Sequence, residues 1–109
     1  MEYDKDYYYI PKVLFQDDFY KGLSVDAIFI YTILRDRQKD AISKKWIDTD
    51  GNVYLAYSLP EMQKMFGFGK DKMIEIMRKL EEHNLIERER EYAGFYGHNF
   101  PYRTYIIEV

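Results

Sequence analysis

Residues 58–109 constrain the fold more than any other stretch, because their caps, breakers and apolar spacings fall into one order. Ser58-Leu59-Pro60-Glu61 reads as a capping box: the Ser58 hydroxyl and the Glu61 carboxylate satisfy each other's orphan amides, with Pro60 in the permissive first turn. A short amphipathic helix carrying Met62, Met65 and Phe66 follows and stops at Gly67-Phe68-Gly69. A second helix is predicted from Lys70 to His83, with Met73, Ile76, Met77 and Leu80 at helical spacing and Asn84 suited to the left-handed cap. Leu85-Ile86 opens an extended stretch through Glu87-Arg88-Glu89-Arg90, followed by a tip rich in glycine and aromatics and a strand from Tyr102 to Val109. Helix, tight turn, helix and two-stranded hairpin is the order of a winged helix-turn-helix. This is an α+β fold, mostly helical with a small antiparallel wing sheet. Such folds lay the second helix in a DNA major groove.

The upstream half supplies the parts that this unit needs. Tyr7-Tyr8-Tyr9-Ile10 reads as a short extended edge ended by Pro11. Asp17 to Lys21 suits one helical turn closed by Gly22. Ser24 caps a long helix predicted from Val25 to about Ser43, with Ala27, Ile28, Tyr31, Leu34 and Ala41 on one face. Phe29, Ile30 and Ile33 widen that face almost all round, as expected of a central helix. Trp46-Ile47 and Val53-Tyr54-Leu55 flank Asp48-Thr49-Asp50-Gly51-Asn52, a hairpin signal. The predicted order is strand, helix, hairpin, helix, helix, hairpin.

A length of 109 residues suits a single domain with a modest core, and 47% hydrophobic against 32% charged residues indicates a globular chain. No apolar run has the length of a membrane span, and Met1 to Asp6 resembles no signal peptide, so a cytoplasmic protein without a membrane partner is expected. Zero cysteines exclude disulfides and thiolate metal sites.

The net charge of −3 opposes a DNA partner, since nucleic-acid modules usually carry a basic surplus. Lys70 to Glu91 holds six basic and seven acidic residues, so a DNA-binding surface requires the charges to segregate by face. Lys70, Lys72 and Lys79 fall off the apolar stripe, while Glu81 and Glu82 lie at the far end. On the first wing strand Arg88 and Arg90 alternate with Glu87, Glu89 and Glu91, which places the two arginines on one side.

Sharper chemistry finds little support. Asp48-x-Asp50-Gly51-Asn52 lacks the Gly and Glu positions of a calcium loop and reads as a turn. Gly67-Phe68-Gly69-Lys70 lacks the spacing, the preceding strand and the hydroxyl of a phosphate loop. His83 and His98 make no His-x-His pair of the kind that accompanies tyrosine nucleophiles in some replication enzymes. No catalytic candidate emerges, and neither a cofactor nor enzymatic activity is expected.

Tyr9-Ile10-Pro11-Lys12-Val13-Leu14-Phe15, Leu23-Ser24-x-Asp26-Ala27 with Tyr31 and Asp36-Arg37, and Trp46-Ile47-Asp48-x-Asp50-Gly51-Asn52-Val53-Tyr54 together carry a resemblance. With the later Leu80-Glu81-Glu82-x-x-Leu85-Ile86, the chain resembles the N-terminal domain of the RepA_N plasmid replication initiators of Gram-positive bacteria. The Ile-Pro-Lys arm and Trp-Ile-Asp-x-Asp-Gly are the specific part; the Leu-Glu-Glu stretch recurs in many winged helices. The resemblance implies a winged helix that binds repeats (iterons) in a plasmid origin, usually as a homodimer. In longer members it implies a C-terminal domain similar to the primosome protein DnaD that engages host replication proteins. Nothing here matches that second domain, so residues 1–109 read as one winged-helix DNA-binding domain and as a candidate fragment of a longer initiator.

Two departures bear on contact. Gly69 replaces a Ser cap, and the tip Gly94-Phe95-Tyr96-Gly97-His98-Asn99 lacks an expected lysine. The residues expected to meet DNA are Lys70, Asp71, Lys72, Glu75 and Lys79 of the second helix, Arg88 and Arg90 of the first wing strand, and Tyr92 and Arg103. A transcriptional regulator of the same fold, or a protein-interaction winged helix of a primosome-like assembly, remain the alternatives.

Overall fold

The computed structural model describes residues 5–89 and 103–109. Five α-helices precede a two-stranded sheet: α1 (Val13–Gln16), α2 (Val25–Asp36), α3 (Gln38–Ser43), α4 (Leu59–Phe66), α5 (Lys70–Glu82), β1 (Ile86–Glu89) and β2 (Arg103–Ile106), with a 3-10 turn at Asp18–Tyr20. The winged helix-turn-helix read from residues 58–109 is present. Its local signals act as the residue types require. Ser58 and Glu61 close both halves of the capping box at 3.2 and 2.9 Å. Gly67 ends α4 at φ +72°, a left-handed conformation that a Cβ disfavours. Asn84 takes φ +58° after α5, where the αL conformation turns the chain into β1.

The core lies where α2, α4 and α5 meet the wing. Met73, Ile76, Met77 and Leu80 of α5 are buried, as are Ala27, Ile28, Ile30, Tyr31 and Leu34 of α2, together with Leu85 and Ile86. Ile30 and Tyr31 are both fully buried although they are sequence neighbours, so α2 is covered on more than one side; the arc is narrower than expected, because Phe29 is 50% exposed. The Tyr31 hydroxyl donates to the Ile107 carbonyl at 2.7 Å, which pins the chain after β2 onto α2.

The hairpin expected at 48–52 forms and also joins the wing. Ile47 bridges Val53, the Asp48 amide donates to the Asn52 carbonyl at 2.9 Å, and Gly51 has φ +86°. Asp48 accepts from the amides of Asp50 and Asn52 and from the Tyr105 hydroxyl on β2. The Asp48 carboxylate therefore closes the turn through two amides and ties it to the wing through Tyr105. Its carboxyl is held below the ordinary aspartate range by the Asn52 amide foremost, opposed by desolvation, with Tyr105 and Asp50 assisting. Leu55 exchanges backbone bonds with Thr104 at 2.8 and 2.9 Å, adding a third short piece to the antiparallel β1–β2 pair.

Two predicted elements change. The long helix from Val25 is capped by Ser24 as expected, but it divides at Arg37 into α2 and α3. Arg37 flattens to ψ −9°, and the Gln38 side-chain amide donates at 3.0 Å to the Arg35 carbonyl, a group that an unbroken helix uses for its next turn. The expected strand at Tyr7–Ile10 makes no sheet pairing among the described residues. Instead the Tyr9 carbonyl accepts from the Arg35 guanidinium at 2.7 Å, so the arm is fastened to α2 by a side chain.

Candidate nucleic-acid interface

At about 100° per residue, burial of Met73, Ile76, Met77 and Leu80 turns a defined row of α5 to the outside. That row is Asp71, Glu75, Arg78 and Glu82, all exposed, flanked on one side by Lys70 and Ile74 and on the other by Lys72 and Lys79. Gly69 is the N-cap and supplies no side-chain cap, so no hydroxyl occupies the amides that open α5.

The residues expected at the interface separate into three groups. Lys70, Asp71 and Glu75 are exposed in the first turns of α5, and no ion pair joins Lys70 to another described residue. Lys72 leans off the outward row: its ammonium pairs with Asp26 of α2 at 2.8 Å and lies 4.1 Å from the Phe68 ring centroid. Lys79 is half-buried at the same edge.

The wing residues are more engaged than their alternation suggested. Arg88 stands on the strand face shared with Ile86, its side chain only 13% exposed, and pairs with Glu81 of α5 at 3.2 Å. Arg103 faces Glu89 across the ladder at 3.9 Å and stacks 4.6 Å from the Tyr54 ring centroid. Glu87 and Glu89 are exposed on the opposite face from Arg88, so the alternation holds while the arginine face is largely covered. Arg90, Tyr92 and the wing tip lie outside the described residues.

One residue on the outward row escaped the sequence reading. Arg78 donates from Nε and Nη2 to both oxygens of Glu75, at 3.0 and 2.7 Å, and from Nη1 to Glu82 at 2.6 Å. Glu75 is held below the ordinary glutamate range by Arg78 foremost, and Arg78 is raised by Glu75 foremost. The signal was present as Glu75-x-x-Arg78-x-x-x-Glu82, the i, i+3 and i, i+4 spacings that bring side chains together on a helix. The expected segregation of basic from acidic residues is not found here, since the centre of the row is a mixed, net-acidic strip.

The described elements thus set a helix-turn-helix against a short sheet, with the outward row of α5 open to solvent. The family described as the N-terminus of replication initiator protein A matches residues 6–109. This chain belongs to the RepA_N family. A curated relative from Lactobacillus helveticus, a 41 kDa protein, is 31% identical over 101 residues, which cover 90% of this chain and 28% of that protein. The RepA_N chain therefore spans little more than a quarter of the length of that relative.

Solved structures agree with the fold. The N-terminal domain of a DNA-binding protein and a Rep–DNA complex each match with TM-score 0.83 and 35% identity, covering 95% of this chain and 76% of theirs. A structure described as an MDR initiator matches with TM-score 0.80 and 31% identity over 95% of this chain and 78% of its own. The resemblance drawn from the Ile-Pro-Lys arm and Trp-Ile-Asp-x-Asp-Gly is thereby borne out for the family and the fold. Among the described residues no group of three or more His, Asp or Glu is placed to hold a metal ion, and no helix is long and apolar enough to cross a membrane.

Proposed function

We propose that this RepA_N chain binds double-stranded DNA sequence-specifically at repeats of a plasmid origin, as a homodimer, for replication initiation. The observation that carries the reading is the solvent-open outward row of α5 in a winged helix 35% identical to a Rep protein solved with DNA. Helix N-termini enter a groove first, and their amides and nearby cations suit phosphate. The contacting set is Lys70, Asp71, Lys72, Glu75 and Lys79, with Arg88, Arg90, Tyr92 and Arg103 from the wing. Host replication proteins would meet other parts of a longer initiator.

The geometry ranks these contacts. Lys70 reaches phosphate at no internal cost, whereas Lys72 has to give up Asp26 and Arg88 has to give up Glu81. Selection from a pool of short duplexes with randomised centres tests the reading, an enriched motif being the expected result. On the selected duplex, Lys70→Ala should flatten the log affinity against log salt slope by about one, the loss of one phosphate neutralised. An unchanged slope removes Lys70 from the phosphate contacts.

Dimerisation has its support in the arm. Tyr7, Tyr8 and Tyr9 are 68%, 53% and 57% exposed, an unusual exposure for three consecutive rings, while the backbone is anchored through Arg35. A two-fold partner covering these rings would match the half-sites of repeated DNA. Deleting the residues before Ile10 should shift sedimentation to monomer and weaken a double site more than a half-site. A truncated chain that remains dimeric places the interface elsewhere.

The acidic strip Asp71, Glu75 and Glu82 favours a second reading, a winged helix that binds protein rather than DNA. A duplex pool that enriches no motif would select it.

A further inference from the structure

We propose that Arg78 reads a guanine in the major groove, with Glu75 as its positioning residue and Glu82 as an exchangeable latch. This inference rests on the DNA-binding reading and names the base chemistry of that surface. Arg78 stands on the row of α5 opposite the buried stripe, so it is the cation that α5 carries furthest toward a groove. Its grip is asymmetric. Glu75 takes the side-on edge of the guanidinium through both carboxylate oxygens, and Glu82 holds Nη1 alone. Three of the five N–H groups of a guanidinium are thus engaged, and one remains on each terminal nitrogen. A fork of two parallel donors on the terminal nitrogens is what guanine O6 and N7 accept. When Glu82 releases Nη1, Glu75 still fixes the plane and direction of the fork, which lowers the ordering cost of the base contact.

The same triad explains how a chain of net charge −3 would read DNA without binding all of it. On a mismatched duplex, Glu75, Glu82 and Asp71 meet phosphate-lined groove walls with no base to accept the guanidinium, and charge repulsion opposes binding. On the correct duplex the arginine contact forms, and the released Glu82 carboxylate accepts from a cytosine amino group. Carboxylates on this row therefore act as a filter, and the predicted target contains a G·C step under α5.

Selection from the randomised duplex pool, run with the full chain and its variants, tests the assignment. Wild type should enrich a motif with one dominant guanine per half-site. Arg78→Ala should lose preference at that position alone, binding the wild-type duplex roughly ten- to a hundredfold more weakly. Arg78→Lys should recover only part of it, because an ammonium cannot donate as a fixed fork. Glu75→Gln should broaden the same position with unchanged thermal stability, and Glu82→Gln should tighten binding to a scrambled duplex several-fold. An Arg78→Ala motif identical to wild type overturns the role of Arg78 while leaving DNA binding intact. Equal loss at every position also overturns it, since that marks a phosphate or structural role. A wild-type pool without a motif overturns the DNA-binding reading itself and this assignment with it.

Discussion

Leu80→Ala is expected to destabilise the chain by about 2–5 kcal/mol, the range for removing a fully buried leucine from a packed site. Leu80 is 0% exposed, and its carbonyl accepts from the Leu85 amide at 3.0 Å where α5 turns into β1. The surrounding core draws on α2, α4 and the wing, so several elements would have to move to fill the void. A small domain is stable by only about 5–15 kcal/mol, which makes this loss a large fraction of the total. Urea unfolding followed by circular dichroism measures it. Lys64→Ala on the exposed face of α4 serves as the comparison and should stay within about 0.5 kcal/mol of wild type. Equal midpoints for Leu80→Ala and wild type would mean that α5 does not pack as described.

Tyr31→Phe should change how stability depends on alkaline pH. Tyr31 is fully buried and donates to the Ile107 carbonyl; desolvation foremost, with Glu108 adding, pushes its pKa from 10.0 up to about 12. The sign follows from proton binding. Above the ordinary tyrosine pKa the unfolded chain has lost this proton while the folded chain retains it, so rising pH favours unfolding. The stabilisation is complete below about pH 10 and disappears as pH rises toward 12, an interval worth roughly 2–3 kcal/mol. Tyr105 is also raised to about 12, by desolvation foremost and then by its bond to Asp48, and it loses its contribution in the same window.

Tyr57 is raised as well, by desolvation foremost, so Tyr31→Phe removes one of three such alkaline titrations among the described residues and should give a shallower decline. At neutral pH it costs about 1–3 kcal/mol for the carbonyl left without its donor. Urea midpoints measured from neutral pH up to about pH 12 provide the check. Parallel alkaline declines for the two proteins would place the Tyr31 hydroxyl in contact with water.

Much of the site was legible because it depends on short-range rules. The row opposite Met73, Ile76, Met77 and Leu80 follows from helical period alone, and so does the meeting of Glu75 with Arg78. The order in which a helix enters a groove points to lysines in the first turns, whereas the face angle places Arg78 nearer the centre of the outward row. Engagement of the other cations was not legible. Lys72 finds Asp26, and Arg88 finds Glu81, across elements whose mutual placement no local pattern encodes.

The sequence by itself determined where elements begin and end around the helix-turn-helix. Ser58 with Glu61, Gly67, Asn84 and Gly51 each act through a bond or a backbone angle within a few residues, and such preferences hold wherever the chain goes. The period of apolar residues likewise determined which face of α5 turns inward. Tertiary structure alone decided the fastening of the arm through Arg35 to Tyr9 and the joining of Leu55 to Thr104. It also decided which cations stay open to a phosphate. Each of those outcomes compares a local preference with a partner distant in the chain. An ion pair or a backbone bridge of that kind exists only once the core has brought its two sides together.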